Sequence, residues 1–320
     1  MGLVYHNGRF IPEEHIAKSD AQAEVLRLLR SYLDANEPGL VRILVNTWQS
    51  QGQAITYKEI REAILRGDID PKWLEDWMQD YTRLVDKQLR PAWEKAIDAG
   101  FTAKAQQFPA FYFNPMADGI RAWTANHAAE FVTNVATAQI EGLRAVILRA
   151  AVLEDMSVDE LSRVIRPCVG LTKQQSKAVM NYYQTLREKG VTPKRAKDMA
   201  IRDAARRHRS RAYDIARTEL ATAYNTGAHE AIKEAQAKGY LGRMVKVWSA
   251  AEDERMCPYC GSMDGKEVEM DDEFEGISSS WSTRLHPPAH PGCRCGVLYV
   301  PAEKPEKIMQ RQFKIQNNVV

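Results

Sequence analysis

The sequence predicts an α+β protein that is mostly α-helical, in which helical N-terminal and middle regions precede a small C-terminal β unit. Apolar residues recur at helical intervals through most of the chain before Gly239, and several helix starts carry capping patterns. After Gly239 this periodicity stops, and residues 244–248, 265–268 and 295–300 have the composition of three short strands.

Composition limits the classes of protein that the chain can represent. At 320 residues it is long for one compact core, so two or three folded units are expected. Its 44% apolar and 27% charged residues are typical of a soluble globular protein, and the net charge of +2 leaves only local patches to attract a charged partner. The apolar runs are too short for a membrane span, and the start is not a signal peptide. Five cysteines do not resemble a secreted disulfide scaffold, so synthesis in a reducing cytoplasm is expected.

Residues 1–114 are predicted to form a helical, tryptophan-rich N-terminal region. Ala21–Leu33 carries apolar residues at helical spacing, Thr56 begins a capping box, and Asp70 with the proline after it is a second helix start. The helix that follows has an aromatic stripe, which we interpret as a packing face. Pro91 is expected to kink or interrupt that helix.

The middle of the chain is also predicted to be helical. Residues 115–156 form a long helical connector, and residues 157–300 form the next domain. Capping patterns at Ser157 and Thr172 begin two helices of this domain, and the longest helix starts at Pro193. Beyond this domain, residues 301–320 are predicted to be an extended C-terminal tail that orders on a partner.

The stretch from Arg187 to Arg217 is strongly basic. Eleven lysines and arginines face four acidic residues there, a local excess of seven positive charges. Such a run can contact nucleic-acid phosphates. It can equally be a solvated helix face or a surface that docks on an acidic protein ring. The nucleic-acid patch predicted here consists of Arg202, Arg206, Arg207, Arg209 and Arg211.

Four of the five cysteines lie between Trp248 and Tyr299, in two pairs with the spacing of metal ligands. Cys257-x-x-Cys260 forms a tight knuckle, and an extended second pair would place both sulfurs on one face of a strand. Soft donors of this kind suit a tetrahedral zinc ion. We therefore predict that the small β unit is stapled by structural zinc, because such a unit cannot bury enough apolar surface by itself.

The candidate metal ligands are Cys257, Cys260, His290, Cys293 and Cys295. Two ligand sets are compatible with the spacing: the four cysteines, or the first pair with His290 and one cysteine of the second pair. His286 is a weaker candidate because two prolines separate it from His290. Five neighbouring donors favour a filled, structural site over a catalytic zinc with an open position.

The second half of the chain, roughly residues 150–300, resembles the phage head morphogenesis family, also called minor capsid or F-type head proteins of Mu-like phages. The resemblance is carried by short motifs along this half. They are Leu171-Thr172 with Tyr182, Leu186 and Gly190; Ile215-Ala216-Arg217-Thr218-Glu219 with Asn225; Trp248, Asp253, Arg255 and Cys257-Pro258-Tyr259-Cys260 followed by Asp264-Gly265; and Pro288-Ala289-His290-Pro291-Gly292-Cys293-Arg294-Cys295.

This resemblance implies a virion protein, made in the host cytoplasm, that acts in head morphogenesis. It would associate with the portal protein and other head proteins, in multiple copies around the portal, in the head interior or at the portal vertex. Packaged DNA would be a further partner, and no membrane is involved. Arg217, Glu219 and Asn225 of the longest helix are predicted to form a structural polar network that holds the zinc unit on that helix.

No catalytic residues are predicted, and the protein is expected not to be an enzyme. No phosphate-binding loop, nucleophile elbow or metalloprotease motif occurs in the sequence. The alternatives are a zinc-stapled, HNH-like nuclease or a DNA-binding module that acts through residues 187–217. Nuclease chemistry needs a histidine base beside an acidic or amide ligand, and His286 and His290 have prolines beside them instead.

Overall fold

The structure, a computed structural model, is mostly helical, which confirms the predicted α+β class with its small C-terminal sheet. The residues that it describes are 3–6, 9–12, 20–105, 118–152, 156–251, 256–274 and 285–302. The helices are α1 (Asp20–Ala54), α2 (Tyr57–Arg66), α3 (Pro71–Leu84), α4 (Arg90–Ala105), α5 (Asp118–Ala150), α6 (Val158–Ile165), α7 (Lys173–Glu188), α8 (Pro193–Ala237) and α9 (Pro258–Met263). The strands are β1 (Leu3–His6), β2 (Arg9–Pro12), β3 (Met244–Ser249), β4 (Glu267–Glu269) and β5 (Gly296–Pro301).

The predicted helix starts are present, because each depends on contacts within one helical turn. Thr56 and Thr172 both form complete capping boxes. Asp70 caps α3 by accepting a hydrogen bond from the N–H of Lys72. The side chain of Ser157 accepts one from the N–H of Glu160 at the start of α6.

Pro38 and Pro91 lie inside helical segments. Pro38 lies inside α1, which runs well beyond the predicted stretch. Pro91 follows a π-helical turn, Val85–Leu89, that joins α3 to α4. A proline at position 91 lacks an N–H and its ring would clash with the carbonyl of Lys87, and the wider turn relieves this conflict. The predicted interruption is therefore a local widening of the helix.

The N-terminal stretch differs from the helical prediction. Strands β1 and β2 pair antiparallel, with Leu3 opposite Pro12 and His6 opposite Arg9. Apolar, β-branched and aromatic residues flank an Asn-Gly pair at 7–8 in the sequence, which is a strong hairpin signal that the helical prediction overlooked.

The contacts divide the chain into two compact units. One contains Met1–Ala35, Trp93–Ile120 and Arg217–Val320, and the other contains Asn36–Ala92 and Arg121–Ala216. Each unit combines segments that are far apart in sequence.

In the first unit, the C-terminal sheet has the strand order β4-β3-β5, with both pairs antiparallel. The three strands match the segments predicted after Gly239. Trp248 on β3 is fully buried and meets Phe274 edge to face, with ring centroids 5.1 Å apart. A cluster of buried apolar residues connects the sheet to α8 through Ala228 and Ile232.

Within the same unit, α4 and α8 cross with their backbones almost in contact. A Cβ atom added at Gly100 would lie 1.9 Å from the carbonyl oxygen of Tyr224. A Cβ atom added at Gly227 would lie 1.9 Å from the carbonyl oxygen of Ile97. Only glycine fits at either position, so the two glycines allow the helices to cross this closely.

In the second unit, a buried polar network lies between α1, α3 and α5. The indole N–H of Trp48 donates to the hydroxyl of Tyr81 over 2.9 Å, and that hydroxyl donates to the amide oxygen of Gln139. The amide of Gln139 also donates to Gln51 over 3.2 Å. The aromatic stripe of α3 is thus buried, as expected of a packing face. Among the described residues, no helix combines the length and the apolar character that a membrane span requires.

Candidate metal centre

All five predicted metal-binding side chains lie together next to the C-terminal sheet. They form two overlapping groups, Cys257 with Cys260 and His290, and Cys260 with Cys293 and Cys295. Within each group the donor atoms lie within 4.8 Å of one another. Cys260 belongs to both groups and is therefore the centre of the cluster.

The first cysteine pair forms a knuckle at the start of α9. Cys257 is the N-cap residue, Pro258 occupies the first helical turn, and the sulfur of Cys257 accepts a hydrogen bond of 3.3 Å from the N–H of Cys260. The proline fixes the backbone dihedral that starts this short helix. Both sulfurs lie within 4.8 Å of one another and can therefore bind the same ion.

His290 completes the first group. Its Nε2 atom lies 3.1 Å from the sulfur of Cys257 and 3.1 Å from that of Cys260. Its other ring nitrogen, Nδ1, lies 2.9 Å from the carbonyl oxygen of Pro291, to which it can donate. A histidine that donates through Nδ1 presents the lone pair of Nε2, which is how metal-binding histidines are usually oriented.

The second cysteine pair lies just before β5 and is almost fully buried. The sulfur of Cys293 lies 3.7 Å from that of Cys260. Hydrogen bonds from the thiols of Cys260 and Cys295 lower the pKa of Cys293. A thiolate at this position is the form of cysteine that binds a metal. Its backbone N–H also donates to the carbonyl of His290 over 3.1 Å, which closes the turn between the two ligands.

The chemistry of these donors fits a metal ion. The two groups consist of cysteine sulfur and histidine nitrogen alone, the donors of closed structural sites for soft or borderline metals. Both ligand sets proposed from the sequence contain Cys257 and Cys260, and the geometry brings His290 and the second cysteine pair to the same place. The cluster can therefore hold a metal ion.

The long helix α8 holds the turn that carries His290. The N–H of Gly292 donates to the hydroxyl of Thr218 over 3.1 Å. About two helical turns further along α8, the side-chain amide of Asn225 donates to the carbonyl of Pro287 over 3.0 Å. These two contacts attach both ends of the turn to one face of α8. Thr218 was not among the predicted network residues, although it lies inside the Arg-Thr-Glu motif.

The other members of the predicted network have different surroundings. Arg217 is buried, and its guanidinium lies 3.8 Å from a carboxylate oxygen of Asp34 on α1. Glu219 is 9% exposed. Asn225 reaches the metal-binding segment through its hydrogen bond to Pro287.

His286 lies outside both donor groups. Its Nε2 atom is 3.1 Å from the hydroxyl of Thr226, and its Nδ1 atom is 2.8 Å from the carbonyl oxygen of Pro287. Both nitrogens therefore have polar partners within the protein, and the histidine supports the turn. Its weak standing as a ligand candidate agrees with this position.

The predicted nucleic-acid patch does not lie on one exposed surface. Arg211 is buried, with its guanidinium 5.1 Å from the centre of the Trp48 ring. Arg206 and Arg207 both pair with the buried carboxylate of Asp203. The prediction is wrong for Arg211, because the helix turns that side chain into the core of its unit.

Some predicted features fall outside the described residues. They are Asp253 and Arg255 of the knuckle motif, most of the loop up to Ser282, and the tail beyond residue 302.

The fold and the cluster define a class of protein: a mostly helical chain whose C-terminal sheet is joined to a long helix by a cysteine–histidine centre. Residues 180–298 match the family model described as Phage Mu protein F like protein. The match covers α8, β3, β4, the first half of β5 and all five candidate ligands, and it confirms the resemblance carried by the motifs from Tyr182 onwards. It indicates a phage head morphogenesis protein. No curated protein matches the chain, and no solved structure matches it either.

Proposed function

We propose that this chain is a minor capsid protein that acts during assembly of the phage head. In this proposal it associates with the portal protein and other head proteins, in multiple copies around the portal, and packaged DNA is a further partner. The observation that carries the proposal is the family match over residues 180–298, which contains every candidate metal ligand. The virion, in the head interior or at the portal vertex, is its proposed location.

The experiment that tests this role is co-purification with the portal protein of the same phage. Affinity-tagged portal rings, produced together with this chain, should retain it through size-exclusion chromatography. Particles assembled without the chain should be fewer or malformed. A chain that elutes entirely apart from the rings, and whose deletion leaves particle yield unchanged, would refute the proposal.

The metal in this proposal is structural zinc. Cysteine sulfur and imidazole nitrogen are its usual ligands, and a filled set of four leaves no position for water. Elemental analysis of the purified protein should give one zinc per chain. The variant His290→Ala separates the two ligand sets, because zinc is lost if His290 is a ligand and retained if the four cysteines are the set. Protein that contains no zinc, with all of its thiols freely titratable, would remove the metal from the proposal.

We also propose that the protein is not an enzyme. His290 faces two sulfurs and His286 is held by a hydroxyl and a carbonyl, so neither histidine is placed as a free base. A zinc-stapled nuclease would need such a base beside a magnesium ligand. Incubation with plasmid DNA and magnesium should leave the plasmid intact. Cleavage that is abolished by His286→Ala would establish the nuclease alternative.

A further inference from the structure

The N-terminal half of α8 carries a row of three exposed arginines, Arg195, Arg202 and Arg209. We propose that this arginine row binds the phosphate backbone of duplex DNA without regard to sequence. The proposal deepens the proposed function, and it rests on that function for the identity of the partner. It differs from the patch expected from the sequence, since it includes Arg195 and leaves out Arg206, Arg207 and Arg211.

The spacing of the arginine row is regular. Successive members are seven residues apart, which is close to two turns of an α-helix, so the three side chains leave α8 within about 20° of one line from one member to the next. A rise of 1.5 Å per residue separates neighbours by roughly 10.5 Å and the two ends by roughly 21 Å. The row therefore lies along the helix as a straight, exposed strip of positive charge.

The charges of the arginine row are not neutralised. Within the described part of the chain, the structure records no ion pair for Arg195, Arg202 or Arg209. The acidic side chains of this stretch already have other partners. Asp198 lies 3.9 Å from Lys197, and Asp203 is buried between two other arginines.

Burial of Asp203 also explains why the row is more basic than the sequence suggests. The carboxylate is only 5% exposed, so water and an approaching polyanion meet the guanidinium of Arg206, which is 79% exposed, and not the acid that pairs with it. Arg206 lies about 40° from Arg202 around the helix and flanks the row. The exposed face therefore presents arginines while its acid faces inward.

Duplex DNA is the polyanion that best matches this arrangement. It carries one negative charge per about 1.7 Å of axis, so a strip roughly 21 Å long lies beside about twelve phosphates. Arginine forms bidentate hydrogen bonds with phosphate oxygens, and phosphate contacts carry no sequence information. An acidic protein surface has a much lower and less regular charge density, and it is the competing occupant that the experiment must separate.

The test compares the full-length protein with a triple variant, Arg195→Ala, Arg202→Ala and Arg209→Ala. Binding to a 30-base-pair duplex of arbitrary sequence is measured by fluorescence anisotropy between 50 and 200 mM salt. Loss of three phosphate contacts should reduce the slope of log affinity against log salt by about 2.7, so the wild-type protein loses about 40-fold more affinity than the variant over this range.

A matched control removes the same charge elsewhere. Arg42, Arg66 and Arg163 are exposed arginines on α1, α2 and α6, and their combined replacement by alanine should leave the slope within about one unit of wild type. Circular dichroism and zinc content show whether each variant is folded.

The outcomes separate this inference from the proposed function. The DNA contact would be overturned if wild type and the triple variant had equal slopes of log affinity against log salt. It would also be overturned if the control variant lost as much slope as the triple variant, or if the protein did not bind the duplex. Binding to poly-glutamate as tight as binding to DNA would overturn it in favour of an acidic protein. Retention of the chain on portal rings is measured separately, and it should survive in the triple variant.

Discussion

The hydroxyl of Thr218 accepts a hydrogen bond of 3.1 Å from the backbone N–H of Gly292, which lies between the candidate ligands His290 and Cys293. A side chain on the long helix thus holds the turn that presents two metal donors. Residues outside a ligand set that orient the ligands in this way commonly control how firmly the metal is held.

Replacement of Thr218 by valine keeps the shape of the side chain and removes the acceptor. The N–H of Gly292 then lacks its partner, so we expect the free energy of unfolding to fall by about 1–2 kcal/mol. Metal release to a competing chelator should become faster. Thr222→Val is the matched control, because the hydroxyl of Thr222 donates to the carbonyl of Thr218, one helical turn earlier on the same helix. Equal release rates for the two variants would show that the contact does not support the centre.

The crossing of α4 and α8 predicts a large effect from the smallest of substitutions. Gly100→Ala and Gly227→Ala each place a methyl group 1.9 Å from a carbonyl oxygen of the other helix, so the helices must separate. We expect each variant to lose about 3 kcal/mol or more in urea unfolding.

Gly39 provides the control for these two variants. It lies inside α1 with nothing within 4 Å of an added Cβ atom, so Gly39→Ala should stabilise the protein by about 0.5–1 kcal/mol through helix propensity. If all three alanine variants have similar stability, the close crossing is absent in solution.

Two buried histidines predict that stability falls in mild acid. Burial lowers the pKa of His208 to about 4 and that of His229 to about 2, against about 6.5 for an exposed imidazole. Below pH 6.5 the unfolded chain takes up protons that the folded chain does not, so the free energy of unfolding decreases by up to about 1.4 kcal/mol per pH unit for each histidine. Above pH 6.5 these two groups have no effect.

The variant His229→Leu isolates one of these contributions. Both ring nitrogens of His229 are buried and have no hydrogen-bond partner among the described residues, so the neutral ring contributes packing. We expect the difference in melting temperature between the variant and the wild type to shift in favour of the variant from pH 7.5 to pH 5. Metal ligands titrate in both proteins and cancel in this difference. A difference that is independent of pH would contradict a neutral, buried His229.

Replacement of Lys246 on β3 is also expected to lower the stability of the protein. Its ammonium group is buried and donates to the carbonyl of Asp272 over 2.7 Å and to that of Leu285 over 2.8 Å. Lys246→Met keeps most of the length of the side chain but leaves both carbonyls without this donor. Each unpaired carbonyl should lower the free energy of unfolding by about 1–3 kcal/mol. Thermal unfolding should show the loss, whereas Lys266→Met, at an exposed lysine next to β4, should change stability by less than about 0.5 kcal/mol.

Local features of the fold could be predicted because their causes lie within a few residues. The caps at Thr56, Asp70 and Thr172 depend on hydrogen bonds inside one turn. The Asn-Gly signal for the hairpin of β1 and β2 is equally local, although a helical region is predicted there from the sequence. The spacing of Cys257 and Cys260 indicated a knuckle for the same reason.

The sequence by itself determined the capped helices, the three C-terminal strands and the five side chains that can bind a metal. Only the tertiary structure decided that Thr218 holds the ligand turn, that Gly100 and Gly227 face a carbonyl, and that Arg211 is buried while Arg209 is exposed. The physical reason is the separation along the sequence of the groups that interact. Capping and knuckle spacing depend on near neighbours in the chain, whereas burial and helix crossing depend on groups brought together from distant parts of it.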